Sequence, residues 1–185
     1  MRPGCIIGID PGISGAIAVL RALGDGVQYT ATSVLEVVDM PYSAKLAGKG
    51  NQVNAVALAR YLQTWGQDAD VRVLVEQVNA MPAIGKDGNR RSMGVTSAMN
   101  FGRSCGIVEG VVAALVYPLF YVSPQTWKKR AGLLGKDKDA ARTLCIQRHP
   151  SIAGRLQRKK DCGRADAILI AEFGMPNPPV EDVFA

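Results

Sequence analysis

At 185 residues, 48% hydrophobic, 21% charged and carrying a net +6, the chain has a globular composition and enough length to bury a core. No apolar run approaches the ~20 residues of a membrane span, and the N-terminus lacks the basic, apolar and small-residue order of a signal peptide, so a cytoplasmic protein with no membrane partner is expected. Cys5, Cys105, Cys145 and Cys162 include no CxxC pair and His149 is the only histidine, which leaves no ligands at workable spacing for a zinc site and no disulfide framework.

The first apolar runs, Cys5 to Ile9, Ala16 to Ala22 and Val27 to Val38, are separated by turn residues such as Gly24-Asp25-Gly26, and they predict an antiparallel meander of three strands. Pro41 to Gly50 is a polar, glycine-bearing loop. Asn51 is placed to cap a helix to about Trp65, whose apolar face is Val53, Val56, Ala57, Leu58, Tyr61, Leu62 and Trp65, and Gly66 ends it. Val71 to Val75 reads as a short buried strand that terminates in Glu76.

Asn79 to Ser92 has no apolar period and reads as a mobile loop. Small and apolar residues return from about Met93 to Val116, giving a long helix relaxed by Gly102, Gly106 and Gly110 and closed by Pro118. Leu119 to Val122 is a fifth strand, and helices follow over Pro124 to Arg130, Asp137 to Arg148 and Cys162 to Phe173. Residues 1–174 are read as one domain, and the proline-rich, acidic 175–185 as a loosely attached tail.

That order predicts an α/β fold, a mixed five-stranded sheet flanked by helices, in which the first and fourth strands are central. Both of those strands end in an acid, Asp10 and Glu76, and a third acid, Asp166, opens the last helix. Acids at the ends of apolar segments are costly unless basic groups or a bound cation compensate them, and in their own segments they outnumber cations. Carboxylate oxygens suit hard divalent cations, and two such ions about 4 Å apart can activate a water on one side of a phosphate and steady the leaving oxygen on the other. Alternatives exist for two of these acids, Asp10 as a turn former before Pro11-Gly12 and Asp166 as a helix-start acid favoured by the dipole, whereas Glu76 gains little by ending a Val-Arg-Val-Leu-Val strand.

The charge is regional. From Ser123 to Asp166 twelve Lys and Arg face four acids, a local +8, whereas the other ten basic and twelve acidic residues sum to −2. A patch of that kind is either a solvated basic face or the footprint of a polyanion.

In combination, GIDPGISGA after the first strand, VEQV at the fourth, SPQTWKK, DKDAARTLCIQRHP and KKDCGRADAILIA closely resemble the RuvC-type Holliday junction resolvases, particularly their phage and prophage relatives, of the RNase H-like nuclease superfamily. The resemblance spans residues 4 to about 174 with the motifs in order. It implies an RNase H-like fold and a homodimer that binds branched DNA, a four-way junction of recombination and repair. Such a dimer cuts two strands symmetrically with Mg²⁺ or Mn²⁺, two ions per site, and leaves 5′-phosphate and 3′-hydroxyl ends. It further implies that Asp10, Glu76 and Asp166 are the metal-binding catalytic acids.

The family places a fourth acid three residues before the helix acid, where this chain has Gly163; the nearest candidate is Asp161. Five residues along one continuous helix turn a side chain about 140° away, so Asp161 joins the others if the helix begins just after it, and an N-cap role is the alternative. Bacterial members carry a wedge aromatic early in the loop after the fourth strand, whereas here the third residue after Glu76 is Asn79, with Met81, Pro82 and Ile84 as apolar substitutes. Lys86, Arg90, Arg91, Lys128, Lys129, Lys159 and Lys160 are the expected DNA contacts.

Three rivals share parts of this pattern. A nuclease acting on flaps or on RNA would use the same acids, and a junction- or RNA-binding module would keep the fold without activity. An actin-like ATPase also ends its first strand in an acid and a glycine-bearing turn, but needs two such domains and a second phosphate turn, so no nucleotide cofactor is expected. The helix from Met93 to Val116 is the candidate dimer surface, with packing on its own sheet as the alternative.

Overall fold

In the computed structural model, which describes residues 4–24, 29–46, 48–66, 70–77, 83–84, 90–91, 94–137 and 139–175, the N-terminal runs form the expected meander: β1 (Gly4–Ile9), β2 (Ala16–Gly24) and β3 (Tyr29–Asp39). β1 pairs antiparallel with β2 and β2 with β3, the latter ladder shifting register at Val19/Leu20 and Leu23/Gly24.

The stretch predicted as loop and helix start is different. Tyr42–Ala44 (β4) pairs antiparallel with Asn51–Val53 (β5), so Asn51 lies in a strand and the first helix, α1, runs Ala55–Gly66. Asn54 is the capping residue: its Oδ1 accepts the Ala57 amide at 3.0 Å, the bond that Asn51 was expected to supply three residues earlier. Leu58 and Leu62 are buried as predicted, but Val56 is 61% exposed.

β6 (Asp70–Glu76) follows, and then two short strands, β7 (Ala83–Ile84) and β8 (Arg90–Arg91), pair antiparallel within the segment read as a mobile loop. Asn79, Met81, Pro82 and Lys86 lie outside the described residues. α2 spans Val95–Ala114 and β9 Leu119–Val122. α3 (Pro124–Arg130) starts where Ser123 Oγ accepts the Thr126 amide at 3.2 Å and Pro124 opens the first turn. α4 covers Ala140–Arg148, three residues shorter than predicted, because the Asp137 side chain caps the turn before it through the Asp139 and Ala140 amides. Two 3₁₀ turns, Pro150–Arg155 and Lys159–Asp161, lead into α5, Cys162–Phe173, which has the predicted bounds. Met175, placed at the start of the tail, is buried in the core; residues 176–185 lie outside the described residues. Among the described residues no helix is long and apolar enough to cross a membrane.

The five long strands form one mixed sheet in the order β3-β2-β1-β6-β9, with β1 parallel to β6 and β6 parallel to β9. Side chains alternate across a strand, and the sheet sorts them accordingly. Cys5, Ile7 and Ile9 join Val71, Val73 and Val75 over α1 and α2, whereas Ile6 and Leu74 join Ile168 and Ala171 of α5 on the other face. Gly8 makes the second contact possible, since a Cβ there would strike the Ala167 carbonyl and the Ala171 backbone. Gly8→Ala is therefore expected to lift α5 off the sheet and cost about 2–3 kcal/mol, read as a lowered urea midpoint. An unchanged midpoint would show that α5 is not seated there.

Candidate active site

The sheet register brings the first two acids together. Ile9 pairs with Val75 in the parallel β1–β6 ladder, so Asp10 and Glu76 are the next residues at the same carboxyl-terminal edge. By strand alternation Asp10 shares the face of Ile6 and Gly8, and Glu76 the face of Leu74. That is the face α5 covers, and Asp166 sits on its second turn, between the fully buried Ala165 and Ala167.

The turn after Asp10 is built to keep its carboxylate open. The Asp10 amide donates to the Ala16 carbonyl at 3.0 Å and the Gly15 amide to the Gly12 carbonyl at 2.9 Å, closing a tight reversal. A side chain at Gly15 would collide with the Asp10 carbonyl and its carboxyl carbon, so glycine is required there.

The acids sense one another. Burial, and then the charges of Glu76 and Asp166, push Asp10 up to about 7, against a backbone hydrogen bond from Gly12 and the charge of Lys128. Asp166 is pushed up to about 6, mainly by burial and further by Glu76, with Lys128 opposing. Buried like charges are the situation a hard cation relieves, and an all-oxygen donor set suits Mg²⁺ or Mn²⁺. The side chains are not already gathered into a cage: among the described residues, no three His, Cys, Asp or Glu form a group able to hold an ion.

Asp10 and Asp166 lie in a cleft of about 570 Å³ that Ser14 and Gly163 also line. Four lysines, Lys128, Lys136, Lys159 and Lys160, supply its basic wall. Glu76 does not line this cleft; its Oε1 accepts a 2.8 Å hydrogen bond from Trp127 Nε1. Lys129 does not line it either. One step along α3, it borders a separate hollow with Gln125, Arg130 and Phe173. Arg90 and Arg91 lie in β8, paired with Ile84 and Ala83.

Asp161 is not brought to the other acids. It is 2% exposed, and Arg158 occupies it: Nη2 donates to Oδ1 at 2.7 Å, Nε to Oδ1 at 3.0 Å, and the Arg158 amide to Oδ2 at 2.8 Å. Burial works to raise this carboxyl, but the Arg158 hydrogen bonds outweigh it and hold the group below its usual range. The 3₁₀ turn just before α5 closes this i,i+3 ion pair, a local arrangement that spacing to Asp166 does not reveal. The family's fourth position, Gly163, does face the site: a Cβ there would stand 3.4 Å from Asp10 Oδ2. Asp161→Ala is expected to lower stability by about 1–3 kcal/mol in thermal denaturation while reducing any cleavage far less than Asp10→Asn. A loss equal to that of Asp10→Asn would return Asp161 to the ligand set.

Sequence reasoning missed three residues of this site. Lys136 was visible only as part of the basic patch. Ser14 and Trp127 stood in quoted motifs, GIDPGISGA and SPQTWKK, with no role attached.

No protein-family model and no curated protein matches the chain. Solved structures do. The RuvC of Thermus thermophilus in complex with a Holliday junction substrate is 17% identical, with 90% of each chain covered and a TM-score of 0.54. The fowlpox virus Holliday junction resolvase is 12% identical over 91% of this chain and 95% of its own, at 0.53. The yeast mitochondrial Holliday junction resolvase Ydc2 is 15% identical over 91% and 76%, at 0.54. The mixed five-stranded sheet with flanking helices is the RNase H-like fold that these resolvases share, and this chain has that fold.

Proposed function

We propose that the chain is a structure-selective endonuclease that resolves four-way DNA junctions by paired phosphodiester hydrolysis, with Mg²⁺ or Mn²⁺ as cofactor. One observation carries this reading: Asp10 just after β1, Glu76 of β6 and Asp166 of α5 lie on one face at the carboxyl edge of the sheet, the two aspartates in a cleft walled by four lysines. Asp10, Glu76 and Asp166 would hold the metal, which supplies an activated water and charge neutralisation at the leaving oxygen.

The chain's own groups do the rest. Lys128, Lys136, Lys159 and Lys160 neutralise phosphates entering the cleft and displace their counterions. The Gly12–Gly15 turn keeps side chains clear of Asp10, so a DNA backbone can approach it. Attack at phosphorus and departure of the 3′ oxygen leave 5′-phosphate and 3′-hydroxyl ends.

Two symmetric cuts need two sites, and α2 offers a surface for a second copy. Val95 and Met99 are 85% and 76% exposed, and Gly102, Gly106 and Gly110 have open space above them, so another backbone can come close along that face. The opposite face of the same helix buries Val108 and Val112 on the sheet. Native mass in solution reads the copy number, with a dimer expected.

A second reading, a junction-binding module without activity, draws on Gly163 in place of a fourth acid and on Asp161 being held by Arg158. Incubating the protein with Mg²⁺ or Mn²⁺ and a panel of junctions, flaps, forks and RNA hybrids separates the two. Cleavage of junctions above the other substrates is expected; binding without cleavage would favour the module, and preferred cleavage of flaps or hybrids would assign the nuclease a different substrate.

A further inference from the structure

Trp127 is 1% exposed, and it directs its single polar atom at the site acid that does not line the cleft. The 2.8 Å bond from its indole Nε1 to Glu76 Oε1 joins residues 51 positions apart, across the β6–β9 pairing and the turn into α3. A buried indole N–H usually finds a partner, and a carboxylate is a strong one. The indole is a donor only, so the carboxylate is always the accepting partner. It also restrains a side chain with three rotatable torsions and leaves Oε2 as the oxygen open to a ligand.

The face of the ring is also engaged. Lys128 Nζ lies 5.1 Å from the Trp127 ring centroid, and Lys128 lines the cleft with Asp10 and Asp166. One buried side chain thus touches both an acid and a cation of the site. Groups that hydrogen-bond a metal ligand from behind set its orientation, and their loss commonly weakens metal binding.

From this geometry we infer that Trp127 is a positioning residue, whose N–H presents Glu76 as a ligand through one oxygen and whose ring seats the Lys128 ammonium at the cleft. The inference rests on the metal-dependent reading above.

The test measures Mn²⁺ binding, not activity. The chain has two tryptophans, and Trp65 packs on the opposite face of the sheet, so Trp65→Phe provides a parent in which Trp127 is the only indole. Free Mn²⁺ is followed by electron paramagnetic resonance in the full chain without DNA. Two changes are compared with the parent: Trp127→Phe, and replacement of Trp127 by 3-benzothienylalanine, which exchanges the N–H for sulfur and keeps the ring's shape. The expected result is a dissociation constant raised about 10- to 100-fold in both, with the melting temperature of the benzothienyl protein close to the parent's. Mn²⁺ should quench the parent's indole emission. Should Trp127→Phe fail to fold, the benzothienyl protein alone decides. Unchanged Mn²⁺ affinity in that folded protein overturns the positioning role, whatever Trp127→Phe shows. A parent that does not bind Mn²⁺ at all overturns instead the metal-dependent reading, and the inference with it.

Discussion

Asp10→Asn is expected to reduce junction cleavage on the order of a thousandfold or more while leaving junction binding intact. The substitution keeps the shape of the side chain and removes its charge, at the position where β1 gives way to the Gly12–Gly15 turn. Asp10 is the acid against which the charges of both Glu76 and Asp166 act, so on the proposed reading its carboxylate would be the ligand whose loss matters most. On the same reading binding would draw on the four lysines that line the cleft, none of which lies in the strand or turn that holds Asp10. Removing one negative charge from beneath a phosphate should leave binding equal or tighter. Gel-shift and cleavage assays on one labelled junction read both quantities. Equal loss of binding and cleavage would point to misfolding, and retained cleavage would remove Asp10 from the catalytic group.

The second large effect is a pH dependence of the metal-free protein. Asp10 at about 7 and Asp166 at about 6 both lie above the ordinary 3.8 of an aspartate, so the folded state holds more protons than the unfolded chain between about pH 4 and 7. Stability therefore falls as pH rises through that window, and the loss is complete above the folded-state values. For Asp10 alone it amounts to about 2–4 kcal/mol, less than additive with Asp166 because the two are coupled. Asp161 and Glu172 work in the opposite sense: their carboxyls are held low, by Arg158 and by the His149 and Arg148 contacts, against burial that raises both. Their contribution is present at neutral pH and disappears as pH falls below about 4. Resistance to urea without metal should thus be greatest at mildly acid pH and weaker at pH 8. Asp10→Asn should flatten the fall above pH 5, and millimolar Mg²⁺ should restore the wild-type protein at pH 8, since a ligand of the folded state stabilises it. On the metal-dependent reading, cleavage at sub-saturating metal should decline below about pH 7, where protons would compete with metal for Asp10. A metal-free stability that rises from pH 5 to pH 8 would contradict the crowding of these carboxylates.

What the sequence made legible follows from the range of the interactions involved. Asp10 and Glu76 could be located because each ends a run of strand residues, and α5 because its small and apolar residues repeat at helical spacing between clear ends. Their meeting was inferable from the parallel pairing that the order of elements implies. Asn51 and Asn54 are both capping residues by type, and only the β4–β5 pairing, made by strands of three residues, decides for Asn54. Asp161 was assigned by its distance along the chain from Asp166, whereas its partner is Arg158, three residues in the other direction. Lys128 and Lys129 are equivalent as charges, yet about 100° of helical turn sends one to the cleft and the other to a different hollow. Trp127 had no role attached beyond its place in SPQTWKK, and its bond to Glu76 exists only because β9 pairs with β6 and turns into α3 at Ser123.

The central claim, that these carboxylates form a junction-resolving centre, is tested most directly by mapping the ends made on a single four-way junction by the wild-type chain. With Mg²⁺ or Mn²⁺ the account predicts two cuts at symmetric positions on opposite strands, yielding nicked duplexes with 5′-phosphate and 3′-hydroxyl ends that a ligase reseals. A junction that is bound yet stays intact with either metal would contradict it.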